Sequence, residues 1–222
     1  MKRILFLFGA VFFFANSFAQ ENEFKPEAGD FSTEVNFKPF ASSPVSIDLI
    51  RLRRFIDDEN ALRIGFMVNL DRMEDANNSL NDEDHELYQS IEVTFQPGFE
   101  RHFEGTERLS PYVGIEAELT IKSSKAEIEE ELITTNIEGA WNEYGSNRGF
   151  TRLGMNLLFG ADYYIAREVF IGVEFGWGYH LYKQSEISIT HDEFDAANEI
   201  DGGSDMESRS FIRNGFRLGF NF

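Results

Sequence analysis

The stretch SRSFIRNGFRLGFNF, at residues 208–222, alternates between two kinds of side chain. One set of alternate positions holds Ile212, Asn214, Phe216, Leu218, Phe220 and Phe222, and the other holds Phe211, Arg213, Gly215, Arg217, Gly219 and Asn221. A period of two is typical of a β-strand whose two faces meet different environments. We therefore predict a strand with one mostly apolar face and one face of arginine, glycine and amide groups.

The same alternation occurs in seven earlier segments. They lie at about residues 30–39, 46–56, 61–70, 87–103, 110–122, 149–164 and 168–183. In the last of these, every second residue from Val169 to Leu181 is apolar or aromatic, whereas Glu174 and His180 share the other face. The chain therefore contains eight predicted strands.

The segment 46–56 is the least regular of the eight. Ile47 and Leu49 are out of phase with Ile50 and the apolar residues that follow it. An extra residue in one strand of a pair changes the phase of all later side chains. We therefore predict a β-bulge near residues 47–49.

The links between these segments differ in length. Short links follow the second, fourth and sixth strands, at 57–60, 104–109 and 165–167, and long links follow the third, fifth and seventh, at 71–86, 123–148 and 184–207. Transmembrane β-barrels combine short turns on one side with long loops on the other. We therefore predict an all-β fold, an eight-stranded antiparallel up-and-down transmembrane β-barrel over residues 30–222.

The first residues have the features of an export signal. Lys2 and Arg3 precede an apolar run at residues 4–15, and Ser17-Phe18-Ala19 is a small-x-small cleavage pattern. We expect a signal peptide at 1–19, a short N-terminal segment at 20–29, and export to the outer membrane. Because the chain has no Cys, it forms no disulfide.

The three long links are strongly acidic, with net charges of −6, −4 and −8 in chain order. We interpret them as solvated loops that repel one another. The alternative is binding of divalent cations, either directly or as bridges to lipopolysaccharide, although no link has the spacing of an EF-hand. The negative charge argues against nucleic acid as a partner.

The polar faces of the predicted strands are nearly balanced in charge. The carboxylates are Glu92, Glu100, Glu116, Glu118, Asp162 and Glu174, and the guanidiniums belong to Arg51, Arg53, Arg63, Arg152, Arg213 and Arg217. Unpaired buried charges are costly, so we predict an ion-pair network that fills the barrel lumen, with His102 and His180 among its hydrogen-bonding members. A narrow ion path is the alternative.

The eight strands, the acidic links, the terminal Phe222 and two local stretches together resemble a known family. The stretches are FQPGFERHF at residues 95–103 and RLSPYVG at residues 108–114. The chain is similar to the small outer-membrane β-barrel proteins of Gram-negative bacteria, the OmpX, OmpA-barrel and opacity-porin group, in its Bacteroidota form. The resemblance implies contact with outer-membrane lipid and lipopolysaccharide and folding by the barrel-assembly machinery, with Leu218, Phe220 and Phe222 as its signal. It implies a role in envelope structure or surface interaction.

Other functions stay open at this point. They are a narrow porin-like channel, a barrel subunit of an envelope secretion or transport complex, and a soluble calycin-like barrel with the two faces exchanged. We expect no catalytic site, cofactor or metal, because hydrolase, zinc-protease and phosphate-loop motifs are absent. His191, with Asp192 and Ser188 nearby, does not by proximity alone supply the oriented nucleophile, base and acid that a lipid-A-modifying enzyme needs.

Overall fold

A computed structural model describes residues 24–37, 45–76, 85–130, 133–192, 194–212 and 216–222. Within these ranges the chain forms one antiparallel β-sheet of 12 strands. The strands are β1 (Phe31–Phe37), β2 (Val45–Phe55), β3 (Asn60–Ala76), β4 (His85–His102), β5 (Leu109–Glu130), β6 (Ile133–Glu138), β7 (Phe150–Ala166), β8 (Val169–Gln184), β9 (Ile187–His191), β10 (Phe194–Ile200), β11 (Ser204–Ile212) and β12 (Phe216–Asn221). No helix in the described ranges is long and apolar enough to span a membrane.

Eight of these strands close into a ring, in the order β1, β2, β3, β4, β5, β7, β8 and β12. The ring closes because β12 pairs with β1, from Ser32 opposite Asn221 to Phe37 opposite Phe216. β11 precedes β12 along the same neighbour, β8. The predicted all-β antiparallel fold is therefore confirmed. Each ring strand overlaps one of the eight predicted segments, and the last segment, 208–222, also includes the end of β11.

The two faces of the ring differ as the alternation predicts. On the outer face, Ile64, Leu157 and Trp177 each expose between 43% and 49% of their surface. On the inner face, arginine and carboxylate side chains are almost fully buried. Successive residues of a strand point to opposite faces, so every second residue contributes to each environment. The exchanged arrangement, with apolar side chains inside and charges outside, is therefore wrong for the described strands.

The second strand is irregular at the predicted place. Glu34 of β1 lies opposite Arg51, whereas Asn36 lies opposite Ser46, so a step of two residues in β1 corresponds to five in β2. The register shift falls on residues 47–50 of β2 and includes the predicted bulge at 47–49. The irregularity is larger than a single inserted residue.

The turns at one end of the ring are short, at residues 56–59, 103–108 and 167–168. We call this the short-turn end and the opposite one the distal end. At the distal end β3, β4 and β5 continue beyond the ring, and β6, β9 and β10 extend them into a distal sheet. β5 pairs with β7 as far as Lys122 and with β6 from Lys125 onwards.

The prediction of solvated loops at 123–148 and 184–207 is therefore incomplete, because both segments contain strands. The distal sheet has a small apolar core, formed by Ala126, Ile137, Ala140, Ile187 and Ile189. Buried Ala126 and Ile137 each have an exposed glutamate beside them in the chain, so the distal sheet buries one face and exposes charge on the other. Residues 38–44 and 77–84 lie outside the described ranges, as does the predicted signal peptide.

Candidate functional site

The interior of the ring contains a cluster of charged side chains to which all eight ring strands contribute. We call this cluster the central network. It consists of Glu34 (β1), Arg51 and Arg53 (β2), Arg63 (β3), Glu100 (β4), Glu116 (β5), Asp162 (β7), Glu174 (β8) and Arg217 (β12). Each of these residues exposes no more than 2% of its surface. Alternation positions them, because each lies on the inner face of its strand.

Arg63 lies at one side of the central network and contacts three carboxylates. Its Nη1 atom is 2.5 Å from Glu100 Oε1 and 2.8 Å from Glu174 Oε2, and its Nη2 atom is 3.2 Å from Glu116 Oε2. Charge-assisted bonds of this kind are shorter and stronger than neutral ones. The Arg63 side chain therefore links β3 to β5 and β8, which are not its neighbours in the sheet, and adds to the backbone ladder with β4.

Arg53 and Arg217 make the corresponding links on the other side. Arg53 Nη1 is 2.7 Å from Asp162 Oδ2 and 3.2 Å from Glu100 Oε2. Arg217 Nη2 is 2.7 Å from Asp162 Oδ1, and its Nη1 atom is 2.8 Å from Glu34 Oε2. Arg51 also bonds to Glu34. Most of the carboxylates contact two or more arginines. The desolvation free energy of each buried charge is therefore offset by several contacts and not by a single pair.

Tyrosine and histidine side chains add contacts to the central network, in which four guanidiniums face five carboxylates. The hydroxyl of Tyr112 donates to Glu174 Oε2 at 2.6 Å. His102 lies with Nε2 at 3.2 Å from Glu100 Oε2 and Nδ1 at 2.9 Å from the hydroxyl of Ser110. These contacts supply hydrogen bonds to carboxylates that arginines alone would not satisfy.

A second polar group, the upper cluster, lies on the distal side of the central network. It contains Glu118, Arg152, Gln96, Thr120 and His180. Arg152 Nε is 2.6 Å from Glu118 Oε1. The side chain of Gln96 donates to Glu118 Oε2 at 2.7 Å, and Arg152 Nη2 donates to the hydroxyl of Thr120 at 3.0 Å. The polar filling therefore continues along the interior.

Aromatic rings close the interior toward the short-turn end. His102 packs between Phe55 and Tyr112, with ring centroids 5.3 and 5.1 Å away. Tyr164 packs on Phe170 at 5.6 Å, and Phe170 lies 4.8 Å from the Arg53 guanidinium carbon. Tilted ring pairs of this kind fill volume at the short-turn end of the interior.

Glycine on the neighbouring strand makes room for these rings. A Cβ atom on Gly160 would overlap the ring of Tyr112, and one on Gly219 would overlap the ring of Phe170. A residue without a side chain is required wherever a large group approaches the backbone this closely. The abundance of glycine on the inner faces is therefore a packing requirement.

At the distal end a strap, residues 139–149, folds across the interior side of the sheet. Trp141 Nε1 donates to the carbonyl of Gln89 at 3.0 Å, and Asn147 Nδ2 donates to the Ser90 hydroxyl at 3.2 Å. Arg148 donates to the carbonyl of Ser185 at 2.7 Å. The strap therefore connects β4 to the segment between β8 and β9.

The predicted lumen residues have different positions in the structure. Eight lie in the central network, and Glu118 and Arg152 lie in the upper cluster. Glu92 is half-buried opposite Lys122 and forms no ion pair with an arginine of the described chain. Arg213 lies outside the described ranges. The prediction missed Glu34, although Ser32 and Glu34 alternate with Thr33 and Val35 in the manner of the other inner faces.

The hydrolase arrangement considered for His191 is not assembled. His191 and Ser188 are three residues apart on β9 and point to opposite faces of the distal sheet. His191 Nδ1 instead lies 2.9 Å from the hydroxyl of Thr135. Across the described chain, no group of three or more His, Asp and Glu side chains could hold a metal ion.

One family model matches the chain over residues 53–201. Its description is the Putative OmpA-OmpF-like porin family. The match begins at Arg53 of β2 and ends just after β10, so it covers most of the ring and most of the distal sheet. No curated protein matches the chain.

Proposed function

Since this chain belongs to the OmpA-OmpF-like porin family and is a porin-like outer-membrane protein, we propose that the ring is a transmembrane β-barrel with a lumen filled by side chains. The barrel serves envelope structure or surface interaction and does not conduct solutes in bulk. It is exported with cleavage of residues 1–19, and its outer face contacts membrane lipid.

The outer face supports insertion in a bilayer. On β3 the outward residues Leu62, Ile64, Phe66, Val68 and Leu70 form a continuous apolar row. The row spans nine residues of a strand, and a tilted transmembrane strand needs about 9–11. Every ring strand pairs with two neighbours, so the closed ring leaves few backbone groups unsatisfied in hydrocarbon.

The central network is the observation that carries the filled-lumen proposal. Eight strands enclose an interior only just wide enough for side chains. Four arginines and five carboxylates from all eight strands meet in that space, almost without exposed surface. Ions crossing the barrel would have to displace these pairs, which hold each other in a poorly hydrated site.

Conductance measurement tests the proposal. The purified protein, inserted into planar bilayers, should give no large and steady conductance. An open porin that is prepared and inserted by the same procedure is the control and should conduct. Reproducible ion-selective openings, with selectivity altered by Glu116→Ala and thermal stability retained, would contradict the filled lumen. They would support the narrow channel instead.

The distal sheet is the part proposed to interact outside the membrane. Its exposed residues include Glu127, Glu129 and Glu138, which lie opposite Asn136, Thr134 and Lys125 in the ladder between β5 and β6. Lipopolysaccharide bridged by divalent cations and an unidentified protein partner both stay proposals for this acidic surface. Depletion of divalent cations from whole cells, followed by measurement of lipopolysaccharide release with and without the chain, tests the first of them.

The assembly signal of Leu218, Phe220 and Phe222 also stays a proposal. Phe222 pairs with Phe31 through backbone bonds of 2.9 and 2.8 Å, and the two rings lie 6.2 Å apart. Phe222 therefore has a structural role at the seam of the ring, whether or not the barrel-assembly machinery reads it. The variant Phe222→Leu, which keeps an apolar side chain, separates the two roles if folding in detergent and folding in cells are compared.

A further inference from the structure

The outer face of the ring carries a groove over β5. It has a volume of about 350 Å³ and is lined by Phe99, Arg101, Val113, Ile115, Leu157 and Phe159. The residues of β5 lie in the middle of the groove, and we call Val113 and Ile115 its floor and the flanking side chains of β4 and β7 its walls. The sheet register produces this profile, because Ile115 lies between Phe99 and Leu157 and Val113 lies between Arg101 and Phe159.

The groove is apolar along its length and charged at one end. Arg101 occupies the end nearest the short turns, and its Nη2 atom lies 3.3 Å from Oε2 of Glu59. Both side chains are more than half exposed, so solvent or a ligand can reach them. The backbone fixes their spacing, because Arg101 lies opposite Asn60 and the amide of His102 donates to the carbonyl of Glu59 at 2.6 Å.

We propose that this groove binds a phospholipid with a primary-amine headgroup, of the phosphatidylethanolamine class. This rests on the proposed function, which puts the outer face in a bilayer. One acyl chain lies over Val113 and Ile115 between the two walls. The phosphate pairs with the Arg101 guanidinium, and the ammonium group pairs with the Glu59 carboxylate.

The paired charges select the headgroup. An arginine alone would attract any phosphate, including that of an anionic lipid. Glu59 beside Arg101 offsets that attraction for a headgroup that has no positive charge, and it accepts the N–H groups of a primary ammonium. Arg54 also faces outward, but the neighbour of its guanidinium group is an aromatic ring, with the guanidinium carbon 5.6 Å from the centroid of Phe31. Arg101 is instead paired with a carboxylate.

Native mass spectrometry of the purified chain in detergent tests the proposal. Phosphatidylethanolamine and phosphatidylglycerol with identical acyl chains are added at equal concentration. The wild-type chain should retain more phosphatidylethanolamine. Arg101→Gln should lower the bound fraction of either lipid, by about fivefold for the loss of one cationic contact at the membrane surface. Glu59→Gln should remove the preference between the two lipids.

A pair of matched variants tests the groove itself. Val113→Phe fills the floor and should lower retention of both lipids. Val68→Phe makes the same change at an exposed outer position of β3 that does not line the groove, and should leave retention unchanged. Equal retention of both lipids by the wild-type chain, or equal retention by the Val113→Phe and Val68→Phe variants, would overturn the proposal.

The fold is monitored in each sample by the heat-dependent shift of the folded band in gel electrophoresis. If the wild-type chain is folded and monodisperse without detergent, the membrane proposal is wrong. If it requires detergent and is folded but shows no preference between the lipids, only the lipid site is wrong. The wild-type comparison needs no substitution, so misfolding of a variant does not remove the test.

Discussion

Arg217 of β12 binds Glu34 of β1 across the seam at which the ring closes, with Nη1 and Oε2 2.8 Å apart. The same guanidinium reaches Asp162 of β7, which is not a neighbour of β12 in the sheet. The seam is therefore held by a buried side-chain contact in addition to its backbone ladder. The first and last ring strands are far apart in sequence, so this contact restricts the chain more than a local pair would.

We expect Arg217→Ala to destabilise the ring by about 3–5 kcal/mol, because the five buried carboxylates of the central network then face only three guanidiniums. Urea unfolding of the purified chain in detergent measures the effect. Arg54→Ala is the matched control, since it removes an arginine from the exposed outer face. Equal midpoints for the two variants would show that the buried contact contributes no stability.

Glu116→Ala should destabilise the ring less than Arg217→Ala does. Arg63 keeps Glu100 and Glu174 when Glu116 is removed, so no arginine loses all its partners. The expected loss is about 1–3 kcal/mol, the scale for a single bond to a charged group. The same unfolding experiment compares the stability losses of the two variants. A larger loss for Glu116→Ala than for Arg217→Ala would mean that Glu116 is the main partner of Arg63.

Gly160→Ala should displace the ring of Tyr112 and weaken its hydrogen bond to Glu174. Overpacking of this kind costs about 1–3 kcal/mol. Gly203→Ala is the control, because its nearest neighbour would be in loose contact at 3.8 Å. Thermal unfolding of both variants measures the difference. Unchanged stability of Gly160→Ala would mean that the interior relaxes around the added methyl group.

The turn between β2 and β3 should show a specific dependence on pH. The side-chain amide of Asn60 and the backbone amides of Glu59 and Asn60 donate to Asp57 and hold its pKa below the ordinary value. A lowered pKa stabilises the folded turn above the unfolded pKa, and this contribution is lost as pH falls through the folded pKa. NMR titration measures the shift. Asn60→Ala should raise the pKa of Asp57 toward its ordinary value, and an unchanged pKa would contradict the assignment.

The proposed topology can be tested by labelling, because the chain has no cysteine of its own. Tyr144 lies in the strap at the distal end and exposes 88% of its surface. Tyr144→Cys should react with a membrane-impermeant maleimide on intact cells. Asp58→Cys, in a short turn, should react only after the outer membrane is permeabilised. The opposite pattern would mean that the barrel is inserted in the other direction.

Much of the ring could be predicted from sequence because apolar and polar residues alternate along a strand whose two faces meet different environments. Arg53, Glu100 and Asp162 each lie on the strand face opposite a mostly apolar row, so their assignment to the inner face needs no knowledge of their partners. The particular pairs could not be predicted. They depend on which strands face each other across the interior, and the alternation contains no information about that distance.

The distal sheet was harder to predict for a different reason. Ile187 and Ile189 alternate with polar residues, but the surrounding carboxylates dominate the composition and suggest a solvated loop. The exchange of pairing partner along β5, from β7 to β6, depends on contacts between segments that are distant in sequence. Glu34 was missed because the first segment contains few apolar residues, and these are needed to assign which of its residues face the interior.

β5 runs without interruption for 22 residues, from Leu109 to Glu130. At about 3.3 Å per residue it is roughly 70 Å long, so a single stiff element belongs to both the ring and the distal sheet. A pull on the distal sheet would load β5 along its axis, and the ladders with β4 and β7 would resist it in shear. The distal sheet is thus mechanically coupled to the ring through β5, and under the proposed topology a force applied to it outside the cell would be transmitted into the wall of the ring.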